Sequence, residues 1–236
     1  MAIDATIKSA LDSILSEPWK ITEPRDVPNS EAVTLLNGAA SIDATYLYAD
    51  LANSSGLAQK VSPESAARVV RMYLNMAVRV LRHYGGHIRS FDGDRVMAIF
   101  VGGSKNSSAF RSALAINAYV TKTIPDLLVA LPQIAAAGWV MEHGIGIDTG
   151  PALLVRGGVR NNNDLISIGA APNVAAKLAD IRDLDAIHIT KRAVDRVRED
   201  FREHSDGRIR HRLCGEKEIG GERLVVHSSN WYWGLE

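Results

Sequence analysis

Cysteine is nearly absent from this chain: Cys214 is the only one among 236 residues. A lone thiol excludes an intrachain disulfide and a zinc–thiolate cluster, and it fits a reducing compartment. An excess of charge is missing as well. Lysine plus arginine total 27 and aspartate plus glutamate total 27, so no overall field draws the chain to nucleic acid or to an anionic bilayer. An anionic ligand would have to meet a local positive site. Long apolar runs are also lacking. The longest stretch, 129–141, is broken by Pro132, Gln133 and Gly138 and falls short of the roughly 20 apolar residues a membrane helix needs. The opening residues, 1–8, have neither the basic start nor the apolar core of a signal peptide. The expectation is a soluble, cytoplasmic protein.

Several nucleotide and hydrolase signatures are absent too. There is no G-x-x-x-x-G-K-[ST] loop and no G-x-S-x-G elbow. The run Gly144-Ile145-Gly146-Ile147-Asp148-Thr149-Gly150 imitates a dinucleotide fingerprint. Its last spacing is wrong, and it is expected inside a hairpin rather than ahead of a helix. His83 and His87 are four apart, but Gly85-Gly86 interrupts any helix that would align them.

What is present reads as an ordinary globular chain, 46% hydrophobic and 23% charged. Residues 1–32 divide from a main domain at 33–236. Within the first segment Ile3, Ile7, Ala10, Leu11, Ile14 and Leu15 recur at helical spacing, and Pro18, Pro24 and Pro28 mark an extended linker. The helix can pad the domain or mediate dimerisation, and padding is the expectation.

In the main domain, 45–51 reads as a central strand and Asn53-Ser54-Ser55-Gly56 as a polar turn. Ser62, Pro63 and Glu64 start a helix whose apolar stripe runs to Leu81 and which Gly85-Gly86 ends. A hairpin follows, 87–91 and 95–101 about an Asp92-Gly93 turn. Further expectations are a helix over 107–124 that stops before Pro125, strands at 140–147 and 152–155 around Asp148-Thr149-Gly150, and a strand at 165–168. Pro172 then opens a helix, and 187–189, a helix over 191–198 and strands near Arg210 and at 224–227 complete the chain. The order strand, helix, hairpin, helix, strand defines an α+β, ferredoxin-like core with C-terminal α/β additions. Many unrelated activities use that core, so function has to come from the site.

The candidate site is a pair of carboxylates at strand edges, Asp50 and Asp94. A buried charge is costly unless paired, and two carboxylates beside a glycine-containing turn can hold Mg²⁺ or Mn²⁺ together with triphosphate oxygens. Backbone N–H groups of Asn53, Ser54, Ser55 and Gly56 can cradle phosphate. Asp92 is assigned to turn chemistry.

These segments, with Gly169-Ala170-Ala171-Pro172-Asn173-Val174-Ala175-Ala176-Lys177-Leu178, resemble class III nucleotide cyclases over about 45–178. The resemblance implies two divalent metals on Asp50, Asp94 and the main chain of Leu51, and a homodimer with composite sites. It implies that Asn173 orients the ribose, that Lys177 stands where the family has a transition-state arginine, and that Arg160 lies near a phosphate-binding basic position. Ser90 and Ile166 occupy the base-reading positions, and neither carries the hydrogen-bonding pair of adenylate or guanylate cyclases. Loss of that purine code resembles the Pycsar pyrimidine cyclases of bacterial antiphage defence, the uridylate cyclases above all. That family implies UTP converted to 3′,5′-cyclic UMP and pyrophosphate, with a separate cyclic-nucleotide-responsive effector. A cytidylate cyclase acting on CTP, and a degenerate nucleotide-binding module without turnover, stay open as alternatives.

Overall fold

The computed structural model describes residues 3–183 and 185–234. Helix α1 (Ile3–Ser16) forms where its stripe predicts, but it pads nothing. None of its residues is buried, and Ile3, Leu11 and Leu15 stand 75%, 60% and 87% exposed. Asn37 tethers its end, donating from Nδ2 to the carbonyls of Ile14 and Glu17. Strand β1 (Lys20–Thr22) then runs parallel to the start of β2 (Gly38–Ala52).

Strand β2 is the spine of the sheet. It pairs with β1 at its start and is buried along almost its whole length on both faces. This is why 45–51 reads as a continuous aromatic and aliphatic run rather than an alternation. Asn53, in the left-handed conformation at φ 55°, turns the chain into α2 (Ser54–Lys60). The expected polar turn is therefore one capping residue and the first turn of a helix. In α3 (Pro63–His83) the Ser62 hydroxyl accepts from the Ser65 amide, 3.3 Å, with Pro63 in the first turn. Gly85 at φ 82° and the Gly86 amide on the Leu81 carbonyl, 2.8 Å, end it.

The hairpin of β3 (His87–Asp92) and β4 (Arg95–Phe100) turns one residue later than expected. Asp92 is the last strand residue and pairs with Arg95, leaving Gly93-Asp94 as the two-residue turn. Gly93 at φ 60° suits the first position of a type II′ turn. The helical run that begins with α4 (Lys105–Ala118) does not stop before Pro125. A π-helical turn, Tyr119–Thr123, leads into α5 (Ile124–Leu128) with Pro125 in its first turn, where its missing N–H is not needed. Helix α6 (Pro132–Ala136) follows.

The two strands expected at 140–147 and 152–155 are a single strand, β5 (Glu142–Val159). Asp148-Thr149-Gly150 is no turn, because each residue is held in the sheet interior by its own partners. Asp148 is wholly buried; it accepts from Arg192 Nε at 2.8 Å and Thr190 Oγ1 at 2.5 Å. Thr149 donates to the Ala44 carbonyl, 3.1 Å. After a turn at Arg160-Asn161, β6 (Asn162–Ile168) folds back on β5, and α7 (Ala170–Ala179) returns across the sheet. The remainder is β7 (Ile187–Thr190), short helices α8 (Lys191–Val194) and α9 (Glu199–Arg202), and the hairpin β8 (Arg212–Ile219) and β9 (Glu222–Ser229). The helix expected over 191–198 is thus cut to one turn, and the last hairpin is longer than the strands expected there.

The sheet order is β3-β4-β2-β5-β7-β9-β8, with β1 on β2 and β6 on β5. Helices α3 and α4 bury Tyr73, Phe110 and Leu114 with Leu47, Phe100 and Ile147. A second cluster joins Ala171 and Ala175 of α7 to Ala44, Tyr46 and Ile99. Glycines fix the approach of α7. A Cβ on Gly144 would lie 2.2 Å from the Ala179 carbonyl oxygen, and one on Gly146 would lie 2.0 Å from that of Ala175. The glycine run is thus a groove for a helix, not a dinucleotide loop.

Gly146→Ala is therefore expected to destabilise the fold by about 3 kcal/mol or more. Gly150→Ala, whose added Cβ would meet only Ala171 Cβ at 3.8 Å, should stay within about 1 kcal/mol of wild type. Urea unfolding of the two variants checks the contrast.

Candidate active site

Asp50 lies near the end of β2, opposite Arg95 on β4 and Gly144 on β5. The residue is 8% exposed, and an isolated charge so placed would be strongly disfavoured. Two guanidiniums answer it. Arg182, just beyond α7, places Nη2 2.6 Å from Oδ2, and Arg95 places Nε 3.4 Å from Oδ1. The far side of the Arg95 guanidinium grips Asp180, at the C-terminus of α7. Leu51 is buried, and its backbone lies opposite His143.

Asp94 sits half-buried in the turn beside Arg95 and makes no ion pair among the described residues. The hairpin register brings the two carboxylates near one another, since Asp94 immediately precedes Arg95, the strand partner of Asp50. Tyr73 of α3 is wholly buried and its hydroxyl has no hydrogen-bond partner among the described residues. Burial raises its pKa well above the ordinary value, and the negative charges of Asp50 and Asp94 both add to the rise. Helix α3, the end of β2 and the hairpin turn thus converge at one place.

That donor set fits a hard divalent cation. It offers two oxygen-donor carboxylates and a buried hydroxyl able to donate to a carboxylate or a bound water. No group of three or more His, Cys, Asp or Glu arranged to hold a metal ion exists among the described residues. Mg²⁺-type sites often use only one or two carboxylates and take their other ligands from water and phosphate oxygens. Asp50 and Asp94, with the Leu51 main chain beside them, would be the protein's share.

The other expected residues are distributed as follows. Ser54, Ser55 and Gly56 form the first turn of α2, where amides lack partners within the helix. Ser90 follows a bulge in β3 and pairs with Met97, which pairs with Tyr48; the row of Phe91, Val96 and Ala49 separates it from that of Asp92, Arg95 and Asp50. Ile166 is on β6, 47% exposed, and Arg160 is exposed at the tip of the β5–β6 arm. Asn173 and Lys177 lie exposed along α7, and the Asn173 amide donates to the Gly169 carbonyl, 3.1 Å. Within one chain, no hydrogen bond among the described residues joins Ser90, Arg160, Ile166, Asn173 or Lys177 to Asp50 or Asp94.

Arg95, Arg182, Tyr73 and His143 are the participants that the sequence alone did not single out. Arg95 had a signal, since it follows Asp94 and the hairpin register places it opposite Asp50. Arg182, 132 positions from Asp50, and the two buried rings had none.

The fold is one shared with solved adenylyl and guanylyl cyclases. A bacterial light-regulated adenylyl cyclase superposes with a TM-score of 0.70 at 20% identity, over 100% of this chain and 64% of that one. No protein-family model matches. A uridylate cyclase of Rhodovulum sp. (strain MB263) is 42% identical over 99% of this chain and 98% of its own length. One of Xanthomonas perforans is 30% identical over 100% of both. The chain belongs to the uridylate cyclases.

Behind Asp50 a buried chain of hydrogen bonds reaches the C-terminal segment. Asn117 Nδ2 donates to the carbonyls of Asn230 (3.0 Å) and Trp231 (2.9 Å), so its Oδ1 accepts from His143 Nε2 at 2.9 Å. The His143 ring stands edge-on to Tyr73. Burial, helped by the positive charge of Arg182, lowers the His143 pKa from 6.5 to about 3. Between those values the unfolded chain binds a proton that the folded chain refuses, so stability falls as pH drops through that window. This one group should cost about 2–3 kcal/mol between pH 7 and 4.5. His143→Gln should lose less stability than wild type over the same interval, as measured by urea unfolding at each pH.

Proposed function

We propose that this chain converts UTP to 3′,5′-cyclic UMP and pyrophosphate. The observation that carries the proposal is the hairpin register that sets Asp94 next to Arg95, the strand partner of Asp50, in a chain of the uridylate cyclase family. In the reaction the ribose 3′-oxygen forms a bond to the α-phosphorus, the bond from that phosphorus to pyrophosphate breaks, and the 3′ proton passes to solvent. Asp50, Asp94 and the Leu51 main chain would hold two divalent ions, Mg²⁺ or Mn²⁺. When bound, these acidify the 3′-hydroxyl and offset charge on the triphosphate.

The chain's other residues orient and stabilise. Amides of Asn53, Ser54, Ser55 and Gly56 take phosphate oxygens, with Arg160 a further positive group. Asn173 holds the ribose once it leaves the Gly169 carbonyl, and Lys177 meets charge growing on the phosphate as a point donor. Ser90 offers the base a hydroxyl. Ile166 offers apolar surface only, so a purine's polar edge would be left unpaired at about 1–3 kcal/mol per group.

Exposure of Asn173, Lys177, Ile166 and Ile168 on one chain supports a homodimer in which each site takes its carboxylates from one protomer and these residues from the other. The division into a 1–32 segment and a 33–236 catalytic domain belongs to the same proposal. So does a cytoplasmic role in antiphage signalling through a separate effector, which rests on the resemblance. No helix of the described residues is long and apolar enough to cross a membrane.

Purified protein with Mn²⁺ and each ribonucleoside triphosphate should yield cyclic UMP as the main product by mass spectrometry, with CTP next and the purines poor. Preference for ATP would contradict the pyrimidine assignment, and a chain that binds but never turns over would be a nucleotide-binding module. Asp50→Asn and Asp94→Asn should each abolish turnover in a folded protein. Mixing Asp50→Asn with Lys177→Ala chains should restore activity, to at most about half of wild type per mixed dimer. No recovery after proven subunit exchange would contradict shared sites.

A further inference from the structure

Arg182 does two things at once. Its Nη2 holds Asp50 Oδ2 at 2.6 Å, and its Nη1 donates to the carbonyl of Ala179 and, at 3.3 Å, to that of Ile181. Those carbonyls close the C-terminal end of α7, where backbone acceptors lack partners within the helix. The neighbouring bridge from Asp50 through Arg95 to Asp180 ends on the same turn. Both oxygens of Asp50 therefore point at guanidinium groups anchored to, or shared with, the end of α7. A divalent cation needs the same oxygen lone pairs and carries the same sign of charge. A cation arriving at Oδ2 would meet the like charge of Arg182 2.6 Å from the same oxygen, and that repulsion opposes their sharing it.

Arg182 is also the group able to leave. Its side chain is 39% exposed, whereas that of Arg95 is 24% exposed and is held on two carboxylates. Resting on the two-carboxylate reading above, we propose that Arg182 is an internal stand-in for the catalytic cation. It neutralises Asp50 until metal arrives, and its release then loosens the end of the helix that bears Asn173 and Lys177. Metal loading at one site is thereby signalled to residues that serve the other site of the dimer. Arg182 acts through Asp50 and α7 and is a positioning residue.

The test is titration of the full-length protein with Mn²⁺ alone, free ion being read by electron paramagnetic resonance, with amide hydrogen exchange over 177–183. Arg182→Gln, which keeps a donor but removes the charge, should bind Mn²⁺ on the order of tenfold more tightly than wild type. Arg182→Lys, which restores the charge, should return affinity toward wild type. Mn²⁺ should speed exchange at 177–183 in wild type and leave it unchanged in Arg182→Gln. Circular dichroism and the Arg182→Lys protein guard against a folding artefact. Equal or weaker Mn²⁺ binding by Arg182→Gln would overturn the stand-in role while leaving the metal site intact. Absence of Mn²⁺ binding in all three proteins, or undiminished binding in Asp50→Asn, would overturn the metal site itself and the stand-in with it.

Discussion

A carboxylate at the end of a strand buried on both faces is the constraint around which this molecule is arranged. Strand β2 cannot expose Asp50 to bulk water, because β4 and β5 flank it and helices cover both faces. Charge has to be brought to it. The hairpin supplies Arg95 from the adjacent strand, and the loop after α7 supplies Arg182. Removing one partner leaves the buried Asp50 charge less compensated, at a cost below the roughly 3–5 kcal/mol of a fully buried pair because the Arg182 side chain is 39% exposed and Arg95 remains. On the proposal above, that cost makes the site responsive: a cation can take over what Arg182 does for Asp50, and Arg182 is then released.

The position of α7 follows from a second constraint. Gly144 and Gly146 on β5 leave no room for a Cβ beneath Ala179 and Ala175, so the helix lies directly on the sheet backbone. Next to that contact, Val174 and Leu178 of the helix pack on Ile219 and Val226. With its buried face on the sheet and that hairpin, α7 exposes Asn173 and Lys177 on the face turned away. Tight packing at the glycines and the charge bridges at the helix end make the placement of Lys177 a property of the sheet rather than of a loop.

Much of this was legible in the sequence, for identifiable reasons. Strand β2 announced itself by its aromatic and aliphatic run, α3 by Ser62-Pro63 and its long stripe, and the β3–β4 hairpin by Asp92-Gly93. Asp50 stood out because a charged residue at a strand edge is rare without a partner, and the fold gives it Arg95 and Arg182. Errors arose where tertiary partners overrode local signals. Asp148-Thr149-Gly150 has the composition of a turn, yet Arg192, Thr190 and Ala44 hold it as buried strand. Pro125 looks like a stop, yet a π-turn carries the chain past it. The amphipathic stripe of α1 implied a surface to cover, but one chain offers it none. Arg182 was invisible because only the fold brings it to Asp50.

The exposed apolar face of α1 and the exposed Ile166 and Ile168 of the β5–β6 arm give a lone chain two surfaces that favour association. A crystal structure of the protein with Mn²⁺ and a non-cyclisable UTP analogue tests the central claim most directly, because manganese can be located by its anomalous scattering. The account predicts manganese on Asp50 and Asp94 of one protomer, with the partner's α7 facing the nucleotide and Arg182 withdrawn from Asp50. Manganese bound elsewhere, or nucleotide seated away from this carboxylate pair, would contradict it.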